Sequence, residues 1–127
     1  MIQSIGIDIV DIERMTQMIH RWGDKFLCKI LTPREYAYCH DKFGQAASVA
    51  ARFAAKEALY KALPADLQAG TGWLDVEVVN DASGRPRLNC FGKIAQLQER
   101  FVVHVSISHS KVSAVAMVLL EQKGSES

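Results

Sequence analysis

Apolar and polar positions alternate at the start of the chain. Ile5, Ile7 and Ile9 occupy every second position, and Gly6 and Asp8 lie between them. This period of two predicts a strand with one buried face, which we expect the isoleucines to form. Asp8 then lies on the opposite face, beside Gly6. A lone aspartate there is an ordinary turn-facing residue unless a second carboxylate comes near.

The residues that follow have helical periodicity. Asp11 is suited to cap a helix that runs through Trp22 and stops at Gly23. The apolar residues at helical spacing in this segment are Ile12, Met15, Ile19 and Trp22. A short helical run follows Asp24. The sequence therefore predicts two consecutive helical segments separated at the glycine.

Capping residues and prolines delimit two further helices. Thr32, Pro33 and Glu35 combine an N-cap threonine, a proline at the first helical position and a glutamate at the third. They predict a helix over residues 33–41. A long alanine-rich helix is predicted over residues 45–63, because Pro64 disfavours helical geometry in the residue before it.

The second half of the chain is predicted to consist mainly of strands. Its expected elements are a loop at 65–72, a hairpin formed by strands 74–78 and 85–90, a short helix at 93–99, strands at 101–108 and 114–120, and a fraying tail at 122–127. The strand at 114–120 is uniformly apolar, so we expect it to be central. Helices gathered before strands predict a single α+β domain over residues 1–127.

Composition narrows the class of protein. The chain has 127 residues, 49% of them hydrophobic, which is enough for a core without stapling by disulfides or metals. No apolar run approaches the roughly 20 residues that span a bilayer, and no basic segment precedes the first apolar residues. The three cysteines, Cys28, Cys39 and Cys90, lack the spacing of a zinc site or a disulfide framework. We expect a cytoplasmic protein without a membrane partner.

The formal net charge of +1 conceals an uneven distribution. Five basic residues, opposed by Asp24 alone, lie between positions 14 and 34: Arg14, Arg21, Lys25, Lys29 and Arg34. This segment could face an acidic partner. A nucleic-acid-binding module is the alternative, but the near-neutral total charge and the lack of an interleaved aromatic platform disfavour it.

The alanine-rich helix carries charge on two sides. At about 100° per residue, Arg52 and Lys56 share one face, whereas Glu57 and Lys61 lie on nearly the opposite one. Two separated charged stripes suggest a helix that contacts two polar environments. The alternative is an ordinary core helix with structural contacts between residues four apart, of which Glu57 to Lys61 has the favourable order.

Four motifs now stand in a definite order: Gly6-Ile7-Asp8-Ile9-Val10-Asp11-Ile12-Glu13-Arg14, Arg52-Phe53-Ala54-Ala55-Lys56-Glu57-Ala58, Gly84-Arg85-Pro86, and His104-Val105-Ser106-Ile107-Ser108-His109-Ser110. Together they closely resemble the bacterial holo-acyl-carrier-protein synthases, a family of 4′-phosphopantetheinyl transferases. The resemblance covers nearly the whole chain, and the first two motifs are the most specific.

The resemblance implies an activity. Members of this family move the 4′-phosphopantetheine arm of coenzyme A onto a serine of apo acyl carrier protein, require Mg2+ and release adenosine 3′,5′-bisphosphate. It also implies a compact α+β fold and a homotrimer with active sites at the subunit interfaces. One charged stripe of the long helix could then serve its own subunit's site and the other a neighbour's.

The resemblance also implies roles for individual residues. Asp8 and Glu57 match the family's metal-binding carboxylates, and Lys61 would neutralise phosphate oxygen one turn beyond Glu57. Glu57 is either the general base or only a metal ligand, and the sequence leaves both open. The residues that match coenzyme A contacts are Arg52, Lys56, Gly84, Arg85, Pro86, His109 and Ser110.

The same resemblance implies that the basic segment binds acyl carrier protein, because acyl carrier proteins are small and acidic. Arg14 matches the docking residue, with Arg21, Lys25 and Phe26 as neighbours. One departure concerns the loop after the long helix: family members commonly have a glycine-rich turn there, whereas this chain has Pro64, with Gly70 and Gly72 later. A non-catalytic scaffold that binds carrier protein is the remaining alternative, and the intact pair of carboxylates disfavours it.

Overall fold

The structure is a computed structural model that describes residues 1–40 and 43–124. Its elements in chain order are β1 (Ile2–Asp11), α1 (Ile12–Ile30), α2 (Pro33–Cys39), α3 (Gln45–Ala62), α4 (Ala65–Gln68), a 3-10 turn (Trp73–Asp75), β2 (Val76–Asn80), β3 (Pro86–Cys90), a second 3-10 segment (Gly92–Gln96), α5 (Leu97–Arg100), β4 (Phe101–His109) and β5 (Ser113–Gln122). Helices dominate the first half and strands the second, which confirms the predicted α+β class. No helix in the described ranges is long and apolar enough to cross a bilayer.

The strands form an antiparallel sheet of three and a separate hairpin. β5 lies between β1 and β4, as its uniformly apolar sequence predicted, and β2 pairs with β3. Asp8 lies opposite Ala116 of β5. The register therefore fixes where the first carboxylate stands along the sheet.

Helix α3 packs on the inner face of this sheet through small side chains. Ala54, Ala58 and Ala62 are buried against a core that includes Val118 and Leu120 of β5. At Gly6 the two backbones almost touch: a Cβ there would lie 1.9 Å from the carbonyl oxygen of Ala58. Only glycine permits this approach. The row of alanines on α3 and the glycine on β1 thus set the distance between helix and sheet.

The predicted burial of β1 is wrong. Ile5, Ile7 and Ile9 are 54%, 57% and 66% exposed, whereas Gly6 on the opposite face is buried. Alternation identifies two faces but does not say which one α3 covers. The helix comes so close that its partner face must carry glycine and short side chains, so the isoleucines point outward.

The helical predictions largely hold. The Asp11 side chain accepts a hydrogen bond from the Glu13 amide, and Gly23, with φ 56°, divides α1 at the expected place. Trp22 is exposed rather than part of the buried stripe. Thr32 and Glu35 form the predicted capping box. Helix α2 ends at Cys39, two residues early, and the predicted end at Asp41 lies outside the described residues.

The second half differs in detail. Helix α3 ends before Pro64 as expected, but α4 occupies the start of the predicted loop. The strand expected from Leu74 begins at Val76, because the amide of Gly72 and the carboxylate of Asp75 close a 3-10 turn between them. In the tail, β5 extends through Gln122, and residues 125–127 lie outside the described range.

Candidate active site

Asp8 and Lys61 are brought together across the interface between β1 and α3. The Lys61 ammonium nitrogen lies 2.8 Å from Asp8 Oδ1 and also donates to the carbonyl oxygen of Ile7 at 3.1 Å. The Asp8 side chain is mostly buried, while that of Lys61 is half exposed. The close approach at Gly6, two residues earlier on the same face, is what places Asp8 beside the helix.

Glu57 lies one turn before Lys61 on α3. Its Oε2 accepts a hydrogen bond from the indole Nε1 of Trp73 at 2.6 Å. Asp8 and Glu57 line one cleft of about 450 Å3. The other residues of this cleft are Ile9, Val10, Asp11, Arg14, Met15, Met18, Phe26 and Phe53. Two carboxylates remote in sequence therefore open into the same space, with an ammonium beside one of them.

The donor set of this cleft suits a hard divalent cation. Carboxylate oxygens are the ligands that Mg2+ prefers, and one or two of them suffice when water and substrate phosphates supply the rest. Within residues 1–40 and 43–124, no group of three or more His, Cys, Asp or Glu side chains is arranged to hold a metal. A magnesium ion held by Asp8 and Glu57 would need further oxygen ligands, which water and substrate phosphates can supply.

Lys56, which was matched to coenzyme A, has three hydrogen-bond partners within its own chain. Its side chain is 1% exposed, and its ammonium donates to Glu35 Oε1 at 2.6 Å, to the carbonyl oxygen of Ile30 at 2.6 Å and to that of Trp73 at 2.9 Å. Burial lowers the pKa of Lys56, and the neighbouring carboxylate of Glu35 acts in the opposite direction. With three oxygen partners inside its own chain, this lysine joins α3 to α1, α2 and the 3-10 turn.

Arg52 belongs to a second cavity, a groove of about 570 Å3. Three other residues matched to coenzyme A line it as well: Gly84, Pro86 and His109. Arg52 donates to Asn80 Oδ1 at 3.1 Å, and Asn80 in turn donates to the carbonyl oxygen of Gly84. The guanidinium also lies over the ring of Tyr38 at 4.2 Å. Although Arg52 is only 6% exposed, its buried Nε has no hydrogen-bond partner among the described residues.

The last two matched residues have different surroundings. Arg85 lines an adjoining groove together with Pro86, Arg87 and His104, so the two grooves meet at Pro86. Ser110 uses its hydroxyl oxygen to accept the amides of Val112 and Ser113. That serine stabilises the turn after β4 and does not line either groove.

The carboxylate cleft and the Arg52 groove lie on different sides of α3. Five residues separate Arg52 from Glu57, which turns the second side chain about 140° away from the first around the helix axis. The predicted separation of charges on this helix is therefore real, but one stripe includes a fully buried lysine. Among the described residues of one chain, the two sets of predicted site residues line separate cavities.

The basic segment borders the carboxylate cleft. Arg14 lines the cleft itself, and Phe26 lines both the cleft and a neighbouring groove of about 280 Å3. Lys25 lines that groove, and Arg21 is exposed with its guanidinium 5.3 Å from the ring of Trp22. Three of the four predicted docking residues thus line the cleft of Asp8 and Glu57 or the groove beside it, and Arg21 contacts Trp22, which lines that groove.

Trp73 is the residue that sequence reasoning missed. The sequence analysis left it between the loop at 65–72 and the strand expected from Leu74 and assigned it no role, yet its indole donates a hydrogen bond to Glu57. Together with Thr71 and Gly72 it lines a further pocket of about 300 Å3 beside Glu57. The altered loop after Pro64 therefore still reaches the site, and an aromatic donor directly after a glycine was the available signal.

Comparison with known proteins places this site in a family. Residues 4–118 match the family model of the 4′-phosphopantetheinyl transferase superfamily. The chain therefore belongs to that superfamily and is a transferase, which confirms the resemblance found in the motifs.

The similar proteins within this superfamily are holo-[acyl-carrier-protein] synthases. The holo-[acyl-carrier-protein] synthase of Koribacter versatilis is 44% identical over 124 residues, which cover 95% of this chain and 99% of the relative. The crystal structure of a holo-(acyl-carrier-protein) synthase from Bacillus anthracis in complex with CoA (3′,5′-ADP) is 41% identical, with a TM-score of 0.81 over 97% of this chain and 99% of that one. The Helicobacter pylori holo-[acyl-carrier-protein] synthase in complex with coenzyme A is 33% identical, with a TM-score of 0.75 over 92% and 99% of the two chains.

Proposed function

We propose that this protein is a holo-acyl-carrier-protein synthase. It transfers the 4′-phosphopantetheine group of coenzyme A to a serine of apo acyl carrier protein in the cytoplasm, in a Mg2+-dependent reaction that supplies carrier for fatty acid biosynthesis. The observation that carries this proposal is that Asp8 and Glu57 line one cleft while the Lys61 ammonium is bonded to Asp8. Relatives crystallised with coenzyme A support the choice of donor.

The reaction is a displacement at the β-phosphorus of coenzyme A. The serine oxygen forms a bond to this phosphorus, the bond to the bridging oxygen breaks, and adenosine 3′,5′-bisphosphate leaves with that oxygen. Bound Mg2+ would neutralise charge on the diphosphate as it develops. Asp8 and Glu57 would hold it, and the Lys61 ammonium would stabilise phosphate oxygen while it orients Asp8. Glu57 accepts the serine proton directly or through a water.

The nucleotide end of coenzyme A is assigned to the second groove. Arg52, Gly84, Pro86 and His109 line it, and Arg85 borders it on the adjoining surface. Arg52 supplies a fixed positive charge whose direction is set by Asn80 and Tyr38. The location of this groove on another side of α3 supports an active site that combines the cleft of one subunit with the groove of a neighbour.

A homotrimer would supply that neighbour. The outer face of the sheet carries a patch of apolar residues that no element of the described chain covers, formed by Ile5, Ile7, Ile9 and Met117. Exposed apolar patches of this kind mark interaction sites. We expect light scattering during size exclusion to give three times the mass of the chain. Substitution of Ile7 by aspartate should reduce that mass, since Ile7 lies opposite Met117 in the centre of the patch.

Carrier protein is assigned to the basic side of α1. Arg14, Arg21, Lys25 and Phe26 offer positive charge and an aromatic ring beside the cleft that holds the carboxylates. An acidic carrier docked there would present its serine to Glu57. Complementary charge of this kind raises the association rate and makes binding sensitive to salt.

Mass spectrometry tests the proposal directly. Apo carrier protein incubated with the chain, coenzyme A and Mg2+ should gain the mass of one phosphopantetheinyl group, and omission of Mg2+ should abolish the gain. The substitution Glu57→Gln keeps the size of the side chain and should leave the fold intact while it removes turnover. Unmodified carrier with the wild-type chain would refute the assignment, and a Glu57→Gln variant with near-normal rate would remove this residue from the mechanism.

A further inference from the structure

The side chain and the backbone carbonyl of Trp73 are hydrogen-bonded to two consecutive residues of α3. Its indole Nε1 donates to Glu57 Oε2 at 2.6 Å, and its carbonyl oxygen accepts from the Lys56 ammonium at 2.9 Å. The residue itself is 42% exposed and opens the 3-10 turn after the loop. A surface tryptophan is thereby attached to the helix that carries a proposed metal ligand.

The backbone of Trp73 is anchored in the most buried polar cluster of the described chain. The side chains of Lys56 and Glu35 are 1% and 0% exposed and lie 2.6 Å apart. Glu35 also accepts the amides of Thr32 at 2.9 Å and Val78 at 2.7 Å. Because buried, fully paired polar groups have little freedom to move, the carbonyl of Trp73 is held by a rigid support.

The ring of Trp73 is restrained as well. Its centroid lies 5.7 Å from that of Phe53, which also lines the carboxylate cleft. Trp73 is the first residue of the 3-10 turn, and a hydrogen bond from the Gly72 amide to the Asp75 carboxylate stabilises this turn. Backbone anchor and ring contact together direct the indole N–H toward α3, where it meets Glu57.

A glutamate at a cleft has several rotamers of similar energy, and ordering it costs entropy. An N–H donor on one carboxylate oxygen selects one orientation and leaves the other oxygen for a cation. Hydrogen bonds of this kind to metal ligands typically raise metal affinity 10- to 100-fold.

We propose that Trp73 is a positioning residue for Glu57: with its carbonyl fixed by the buried Lys56, its indole holds Oε2 so that Oε1 faces the cleft shared with Asp8. This role rests on the proposed Mg2+-dependent function. It gives Lys56 a role, because the lysine supports the metal ligand next to it through Trp73.

Two substitutions separate the effect of the indole N–H donor from the effect of the aromatic ring. Trp73→Phe keeps an aromatic ring against Phe53 and removes the N–H. Trp73→His removes the outer ring but keeps a ring N–H at the position that corresponds to the indole nitrogen. We expect Trp73→Phe to weaken Mn2+ binding about 10-fold, measured from the electron paramagnetic resonance signal of free Mn2+ with the full chain and coenzyme A. Trp73→His should bind within about threefold of wild type.

Trp22→Phe is the matched control, since it makes the same chemical change at an exposed tryptophan of α1 that does not line the carboxylate cleft. It should leave Mn2+ affinity unchanged. It also leaves Trp73 as the only tryptophan of the chain. In that variant, paramagnetic Mn2+ with coenzyme A should quench the tryptophan fluorescence, and the further change Glu57→Gln should abolish the quenching.

The outcomes are distinct. Normal Mn2+ affinity in Trp73→Phe overturns the proposal, as does a greater loss in Trp73→His than in Trp73→Phe, which would assign the effect to packing. If either variant fails to fold, absent quenching in Trp22→Phe overturns it without any change at position 73. If the wild-type chain neither binds Mn2+ nor modifies carrier protein, the proposed function itself fails.

Discussion

Substitution of Gly6 by alanine should damage both stability and activity. The added Cβ would lie 1.9 Å from the carbonyl oxygen of Ala58 and 3.0 Å from the amide nitrogen of Ala62. Both atoms belong to the backbone, so no side-chain rotation relieves the contact. To restore a tolerable distance, β1 and α3 must separate by roughly 1 Å, and overpacking of this kind costs about 3 kcal/mol.

The same shift should reach the site, because Asp8 follows two residues later on the same face of β1. A displacement of about 1 Å of a group that must align with substrate can lower turnover ~100-fold. Urea unfolding monitored by circular dichroism measures the first effect and the carrier modification assay the second. Gly72→Ala is the matched control for stability, since φ is −119° and a Cβ there meets nothing within 4 Å.

A Gly6→Ala chain that unfolds at the wild-type urea concentration would refute this reasoning. A second check uses Ala58→Gly combined with Gly6→Ala. Removal of the Ala58 methyl group cannot relieve a clash with the main-chain oxygen, so the double variant should be no more stable than Gly6→Ala. Recovery of stability would mean that side chains, and not the backbone, set the spacing of the two layers.

Three further outcomes are expected. Lys56→Met should destabilise the fold by about 3–5 kcal/mol in urea unfolding, because it leaves the buried Glu35 carboxylate without its ammonium; a loss below 1 kcal/mol would contradict the buried pair. Arg14→Ala should raise the apparent KM for carrier protein at low salt, and an unchanged value at low salt would end its docking role. Iodoacetamide at pH 8 should label the exposed Cys28 before Cys90, because burial raises the pKa of the Cys90 thiol to about 11 and keeps it protonated; mass mapping that finds Cys90 labelled first would contradict its burial.

Local chemistry made much of the fold predictable. The capping box at Thr32, the stop before Pro64 and the glycine break at Gly23 depend on neighbouring residues alone, and each is found where it was predicted. The central position of β5 followed from its apolar run. These features need no knowledge of what packs against what.

The errors have a common physical origin in tertiary contacts. Whether Ile7 or Gly6 faces inward depends on how closely α3 approaches, which periodicity does not contain. The sequence around Lys56 does not indicate that its ammonium is buried and paired with Glu35, 21 residues earlier. The pairing of Trp73 with Glu57 joins residues whose distance in sequence carries no periodic signal. Motif resemblance suggested candidate residues for the site, but it could not say which of them already have partners within their own chain.

The candidate site residues lie on two sides of α3, and this division affects how the activity would depend on protein concentration. Under the proposed assembly, a lone subunit carries two incomplete halves that point away from each other, and neither half can reach the other by local motion. The catalytic rate per chain would then fall on dilution, once the subunits separate, instead of staying constant. Abundance in the cell would thus set the working rate through association, without any dedicated regulatory domain.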